Sequence, residues 1–379
     1  MNAGSQASPG VRFRDPSQRS RVLLEITFVL GVPAPRRPRI ARRSQERSKL
    51  VSTPAFLDPN RLRVPDPRDL LRRAWAFSRP LTLVGVAMLL TLLAALTSIL
   101  VDPRVVTGAP AWLKPAKFAI SISIYCFTLL WLLTFVRRHP RLVGVIAWVT
   151  AVALLIEEVL IAYAASLGTT SHFNVSTPIS AAVWTTMGLS VVLVWVANLL
   201  TIVLLLVQRL PYPAFAWALR LGLIVSFVGM GLAFLMTSPT PPQVQAAGID
   251  GEMPIAGAHS VGVEDGGPGL PITNWSTTGG DLRVAHFFGL HALQALPLFG
   301  FLVTIFGPGW LRSSHRVALE WLASLVYLGL VLLLAWQALR GQPVVSPDAL
   351  TLGTLLALFA ASGAVASAVV LYARRMRER

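Results

Sequence analysis

The sequence is poor in cysteine and in charge, and acidic residues are scarcer than basic ones. Its 379 residues include one cysteine, Cys126, so no disulfide can form within the chain. Only 13% of the residues are charged, against about 25% in a typical soluble domain. Hydrophobic residues make up 54%, and the mean hydropathy is +0.63. This balance excludes an ordinary soluble domain and favours a protein embedded in a membrane.

What the chain has in abundance is long apolar runs. A helix needs about 20 such residues to cross the roughly 30 Å of hydrocarbon in a bilayer. Backbone polar groups have no water to bind there, so spanning segments of this kind must be helical. The sequence therefore predicts an all-α, polytopic transmembrane helical bundle of about eight spans. The runs are 80–101, 116–136, 142–165, 180–208, 214–237, 283–306, 317–338 and 350–373.

The net charge of +16 is distributed unevenly along the chain. If the runs alternate in direction, every basic cluster lies on one side and the acidic loop 237–281 lies on the other. The positive-inside rule then places both termini in the cytoplasm. Nucleic acid is excluded as a partner because the arginines accompany Pro and Ser rather than a recognisable binding fold. The basic clusters are residues 1–79, 137–141, Arg209, Arg220, Arg312, Arg316 and 374–379.

Composition divides the chain into two regions. Residues 1–75 are rich in Arg, Pro and Ser and are predicted to be a disordered cytoplasmic segment, which could rest on anionic lipid headgroups. An alternative is that translation starts downstream and that residues 1–50 are not part of the protein. Residues 76–379 are predicted to form the transmembrane domain, in the plasma (cell) membrane. Its external loop 237–281, rich in Gly and Pro, is a candidate cover.

Two adjacent acids, Glu157 and Glu158, interrupt the third apolar run. A carboxylate in a bilayer costs at least about 2.5–3.5 kcal/mol, so such residues usually face the protein interior and have a task. Neighbours on a helix diverge by about 100°. We therefore expect one acid to face a cavity and the other a seam between helices.

Other polar residues are predicted at the same depth. Counted at 1.5 Å per residue from the outer ends of their runs, His291 and Glu158 both lie about 10 Å inside. His291 and Gln294 are three apart and share a helix face. Together these residues predict an outward-opening polar site between the second, third, fourth and sixth spans. Further candidates for this site are His286, Lys117, Ser121, Tyr125, Thr185 and Thr186.

Two segments carry a resemblance to known sequences. Residues 279–294, GGDLRVAHFFGLHALQ, and residues 112–117, WLKPAK, resemble those of uncharacterised bacterial, actinobacterial-like, multi-pass membrane proteins. The resemblance implies a membrane protein and no known activity. By their composition, Trp and Lys in 112–117 are typical of anchors at the membrane surface.

Three classes of function remain open. The polar layer could serve proton-linked transport of a small solute, with a glutamate as the protonatable group and His291 beside it. It could instead belong to a membrane-embedded enzyme or redox protein. A non-catalytic scaffold or sensor is the third class, in which the polar groups bond one another and fix helix register. The sequence does not indicate an oligomeric state.

No cofactor is predicted, since the sequence has no Cys/His cluster and no pair of histidines four apart. A haem, as an alternative, would take its axial ligands from His172, His286 and His291. A divalent metal would be bound by His291 with Glu157 or Glu158, or by a histidine of the sixth span with His172.

Overall fold

The structure is a computed structural model that describes residues 66–210 and 212–378. Eight of its segments are long and apolar enough to cross a membrane. The predicted fold class, an all-α polytopic bundle, is confirmed. The spanning helices are α2 (Arg79–Val101), α3 (Leu113–Leu133), α4 (Pro140–Ser166), α5 (Pro178–Leu206), α6 (Pro213–Gly231), α8 (Leu282–Phe306), α9 (Ser313–Leu339) and α10 (Ala349–Glu378), and two shorter helices are α1 (Pro67–Phe77) and α7 (Pro241–Asp250).

Helix α1 departs from the predicted disorder of residues 1–75. The Asp66 side chain accepts a hydrogen bond from the Arg68 N–H at 2.9 Å, and Pro67 occupies the first turn, where its missing N–H costs nothing. One face is apolar and carries Leu71 and Trp75, both exposed. Composition over a long window concealed this short capped helix. Residues 1–65 of the predicted segment lie outside the described residues.

The loops divide between two ends of the bundle. At one end, Arg104, after α2, donates to the carbonyl of Ser166 at the end of α4 at 2.9 Å. At the other end, the Arg137 N–H, after α3, donates to Gln208, after α5, at 3.4 Å. These contacts fit helices that alternate in direction. The positive-inside rule assigns the second end, which carries residues 137–141, to the cytoplasm; we call it the inner end and the first the outer end.

The core joins most of the spanning helices. Apolar side chains of α2 to α6 and α8 form one buried cluster, and α9 packs on α6 and α8 around Val331. Helix α10 packs against α9. Burying these side chains determines which face of each helix turns inward. Large members of the cluster are Leu81, Leu129, Ile146, Leu205, Leu219 and Leu293.

Helices α6 and α8 cross at two glycines. A Cβ placed on Gly229 would lie 2.5 Å from the Cα of Gly289, and a Cβ on Gly289 would meet Gly229 in the same way. The His286 ring lies beside this crossing, with its Nδ1 2.8 Å from the carbonyl oxygen of Gly229. Small residues of this kind let transmembrane backbones approach closely. The crossing fixes the position of α8 against the rest of the bundle.

The external loop 237–281 forms a structured cover, which we call the outer cover. It contains α7 and a strand pair, β3 (Ser260–Val261) with β4 (Gly280–Asp281); an earlier pair, β1 (Val105–Val106) with β2 (Ala109–Pro110), precedes α3. The outer cover also pairs with the loop between α4 and α5: the Val175 N–H donates to Pro254 at 2.9 Å, and the Ala256 N–H donates to Phe173 at 2.8 Å. The outer ends of several helices are thereby tied together.

Candidate functional site

Glu157 and Glu158 both lie inside the bundle. Their exposed fractions are 3% and 2%, and none of their four carboxylate oxygens has a hydrogen-bond partner among the described residues. The buried face of α4 is broad enough to hold two consecutive residues. Other residues on this face are Ile146, Ala147, Thr150, Ala151, Ala153, Ile161, Ala164 and Ala165.

The loop after α4 brings His172 back over Glu157. Gly168 adopts φ +68°, a left-handed conformation that glycine accepts without strain and that ends a helix well. The Thr169 N–H then donates to Ala164 at 3.0 Å, which turns the chain towards the bundle. As a result, the Nε2 of His172 lies 3.8 Å from Oε1 of Glu157.

Lys114 approaches the same ring from the other side. Its Nζ and the Oγ of Ser171 each lie 3.0 Å from Nδ1 of His172. When Lys114 is an ammonium it only donates, so Nδ1 accepts and the neutral ring then carries its proton on Nε2, the nitrogen that faces Glu157. Lys114, His172 and Glu157 thus form a row, in which the lysine lies inside the protein rather than acting as a surface anchor.

Aromatic rings enclose this row. Around the His172 ring, the centroids of Trp184, Phe118 and Phe173 lie at 5.4, 5.9 and 6.0 Å. Phe173 has φ +65°, a strained conformation for a residue with a side chain, and its ring is buried. The apolar rings exclude water and strengthen the electrostatic interactions inside the site.

A second histidine from the outer cover completes the outer side. The Nδ1 of His259 lies 2.7 Å from Oδ2 of Asp265, and the His259 ring centroid lies 6.4 Å from that of His172. Burial, and then the charge of Lys114, holds the pKa of His172 well below its ordinary value. Burial also lowers the pKa of His259, although its bond to Asp265 opposes this. Both imidazoles are therefore neutral near pH 7.

Burial would raise the pKa of the Asp265 carboxyl, but hydrogen bonds hold it below its usual range. The donors are the His259 ring and the backbone N–H groups of His259 and Ser260. A carboxylate that accepts several such bonds is stabilised in its charged form. The outer side of the site therefore carries a fixed negative charge at Asp265.

Comparisons with protein families, with curated proteins and with solved structures found no match to this chain. Function is therefore inferred from the geometry of the site. The resemblance of residues 279–294 and 112–117 to actinobacterial-like membrane proteins stays a prediction.

His291 and Gln294, predicted beside the acids, form a separate short chain of hydrogen bonds. The Nδ1 of His291 lies 3.2 Å from Oε1 of Gln294, whose Nε2 donates to the hydroxyl of Thr128 at 3.1 Å. No hydrogen bond or ion pair joins this chain to the acids in the part of the protein that the structure describes. It links α8 to α3 below the row.

The remaining candidates lie in several places. Tyr125 packs with α4 residues in the bundle interior, and its hydroxyl is buried without a partner among residues 66–210 and 212–378. Lys117 donates to the carbonyl of Thr273 in the outer cover at 2.9 Å. The structure does not bring three further candidates into the row, since their side chains are exposed on the bundle surface: Ser121, Thr185 and Thr186.

Sequence reasoning missed Glu320 in α9, whose exposed fraction is 0%. The signal that identified Glu157, an acid inside an apolar run, applies equally to Glu320 in run 317–338. Lys114, His259 and Asp265 were also missed, and no sequence signal marked them, because separate loops bring them together.

No group of three or more His, Cys, Asp or Glu side chains within the described ranges has a geometry that could hold a metal ion. The Glu157–His172 approach supplies two potential ligands. The expectation that the protein binds no cofactor stays a prediction.

Proposed function

We propose that this multi-pass membrane protein couples the binding of a proton at Glu157 to the handling of a small solute. One observation carries the proposal: the buried carboxyl of Glu157 has no hydrogen-bond partner among the described residues and lies 3.8 Å from the Nε2 of a neutral histidine. A group that only fixed helix register would use its oxygens for hydrogen bonds. The unused hydrogen-bond capacity of the Glu157 oxygens favours a role in which this carboxyl gains and loses a binding partner.

The row suggests what that partner is. An ionised carboxylate buried without a counter-charge costs several kcal/mol, so the closed site favours the neutral acid. When Glu157 loses its proton, a shift of about 1 Å would bring the His172 Nε2–H within hydrogen-bond distance of the carboxylate. Lys114, bonded to the far side of the ring, would add positive charge. The proton on Glu157 thus sets the position of the His172 loop.

Movement of that loop would open the site. Both acids are buried, so a solute can reach them only if the outer cover moves. Residues 173–175 pair with residues 254–256 of the outer cover, so the His172 loop and the cover move as one unit. Proton binding and access from outside are therefore coupled. We place this outer end outside the cell and the protein in the plasma membrane, following the charge distribution.

Proton-linked handling can be measured in liposomes that contain the purified protein and a trapped pH-sensitive dye. Amino acids, sugars, nucleosides, organic acids and organic cations would be added in turn under an inward proton gradient. At least one class is expected to accelerate proton entry, and Glu157→Gln should abolish the acceleration. Ser121→Ala, on the exposed face of α3, should retain it. The proposal fails if no class accelerates proton entry or if Glu157→Gln behaves as the unmodified protein does.

A further inference from the structure

Glu320 is a buried acid that the row at Glu157 does not use. It lies seven residues into α9, about 10 Å from the inner end of the bundle. Its Oε2 has no partner in the part of the chain that the structure describes, and its Oε1 lies 3.4 Å from the hydroxyl of Ser324, a long contact. Glu157 lies at a similar depth from the opposite surface.

Glu320 fits into the bundle because a glycine, Gly300, lies against it where α6, α8 and α9 meet. A Cβ on Gly300 of α8 would lie 3.0 Å from Oε2 of Glu320 and would also collide with Ala218 of α6. Any larger residue than glycine would therefore crowd the carboxyl. The junction places an ionisable group among apolar helices, where a lone charge costs several kcal/mol.

One turn away lies Arg316, a cation that forms no ion pair with an acid in the part of the chain that the structure describes. Arg316 precedes Glu320 by four residues, a spacing that places two side chains on the same helix face. Its guanidinium instead caps carbonyl oxygens at the inner end of α8 and in the turn that follows. The acceptors are Thr304 at 2.7 Å, Leu311 at 2.8 Å, Gly307 at 3.0 Å and Pro308 at 3.2 Å. Opposite charges that could pair therefore lie apart.

Glu320 forms no ion pair with any cation among the described residues. On α6, the Arg220 guanidinium is turned to the carbonyls of Leu205 and Gln208 at the end of α5. On α8, Gly300 lies against Oε2 of Glu320 and has no side chain. Arg316 is the charged group on α9 that lies within one turn.

We propose that Glu320 is a second proton-binding site, near the inner end, and that Arg316 becomes the partner of its carboxylate when the proton leaves. The O–H bond of the acid breaks, and the proton passes to water at the inner end. The carboxylate then draws the guanidinium away from the α8 carbonyls. The inner end of α8 loses its cap and is free to move.

This site would be the place where a proton taken up at Glu157 leaves on the inner side, and in that role it rests on the proposed function. Proton binding at Glu320 itself does not depend on Glu157. The two claims can therefore fail separately.

The test measures the distance between spin labels at two exposed positions of the inner end. Arg209→Cys and Gly309→Cys would be introduced together with Cys126→Ala, and the full chain would be reconstituted in lipid nanodiscs. The label separation is expected to differ between acidic and alkaline pH, because α8 is released when Glu320 ionises. Glu320→Gln should abolish the difference between the two pH values and give the acid-pH separation at both. Ser324→Ala, which keeps the carboxyl, should show the same difference as the parent protein.

Two further variants decide what a failure means. Arg316→Gln should give the alkaline separation at both pH values, because α8 then has no cap. Glu157→Gln should leave the pH-dependent change in label separation as it is in the parent protein. The test at Glu320 therefore remains valid even if proton-linked transport through Glu157 is not found. A response that persists in Glu320→Gln, or no response in the parent protein, would overturn the proposal.

Discussion

The Nζ of Lys114 lies 3.0 Å from Nδ1 of His172, and when Lys114 is charged this contact places the ring's proton on the nitrogen that faces Glu157. A lysine at the first turn of one spanning helix thus sets the chemistry of a loop residue 58 positions later. The row it begins is the basis of the predictions for the outer site.

Replacing Lys114 by Met should lower thermal stability, since it removes a donor to a buried imidazole nitrogen. Because the Ser171 hydroxyl also lies 3.0 Å from this nitrogen and can still donate to it, the loss should be about 0.5–1.5 kcal/mol, the net contribution of one hydrogen bond. Lys117→Met is the matched control on the same helix, because Lys117 donates to a loop carbonyl that water could serve instead. Thermal unfolding in detergent should show the larger decrease for Lys114→Met. Equal decreases would mean that the Lys114–His172 contact has no special role.

His172 and His259 should contribute less to stability as the pH is lowered below about 6.5, the ordinary pKa of histidine, whereas an acid that is neutral in the folded protein, such as Glu157, contributes in the opposite direction. The pKa values of His172 and His259 are lowered in the folded protein, chiefly by burial. Between the folded and unfolded pKa values the unfolded chain binds more protons, so stability is fully present above the unfolded pKa and is lost below it. The contribution of His172 is measured as the difference in melting temperature between the parent protein and His172→Gln, followed from pH 8 downwards. This difference should shrink as the pH falls below about 6.5, and the corresponding difference for Ser121→Ala should not; a His172→Gln difference that does not change with pH would contradict the prediction.

The eight spans could be predicted because each is an apolar run, in contact with lipid or with other helices, that is long enough to cross the bilayer. The length of such a run is sufficient to identify it. The fourth run, predicted at 180–208, is helix α5 at Pro178–Leu206. Glu157 could be singled out by the cost of its burial. Its partners could not, because Lys114, His172 and His259 come from three segments whose pairing depends on long-range backbone bonds. The spacing of polar and apolar residues along one helix does not show which residues of other segments it will contact.

Glu320 could have been identified from the sequence by the same criterion as Glu157, the free-energy cost of burying a carboxylate in an apolar run. Its burial depends on Gly300, a residue on another helix, and on the close approach of α6 and α8. Helix α1 was missed for a different reason, since its cap and apolar face occupy only three turns within a long polar segment.

The α6–α8 crossing predicts unequal effects of two Gly→Ala substitutions. Gly229→Ala should destabilise the protein, since its Cβ would lie 2.5 Å from Gly289 and the helices would have to separate. Gly188→Ala, on α5, has nothing within 4 Å and should be neutral or stabilising by up to about 1 kcal/mol. Thermal unfolding of both variants measures the difference. Similar melting temperatures would show that α6 and α8 do not cross this closely.

Sidedness follows from the charge distribution and can be measured in intact cells. Glu264→Cys lies in the outer cover and Arg138→Cys in an inner turn, and both side chains are exposed. An impermeant maleimide is expected to label position 264 in intact cells and position 138 only after lysis. Native Cys126 is buried and should contribute little labelling. The reverse pattern would place the Glu157 row on the cytoplasmic side.

Proton binding at Glu157 is the central claim, and infrared difference spectroscopy tests it most directly. Reconstituted protein would be compared at successive pH values, following the carbonyl stretch of protonated carboxyl groups. Glu320 should give a pH-dependent band that is absent in Glu320→Gln. For Glu157 we predict a band that disappears as the pH is raised, that is absent in Glu157→Gln and that persists in Glu320→Gln. Its midpoint should also move in Lys114→Met, because the row loses its positive charge. A parent spectrum with no pH-dependent carboxyl band, or a Glu157→Gln spectrum that loses no band relative to the parent protein, would contradict the claim.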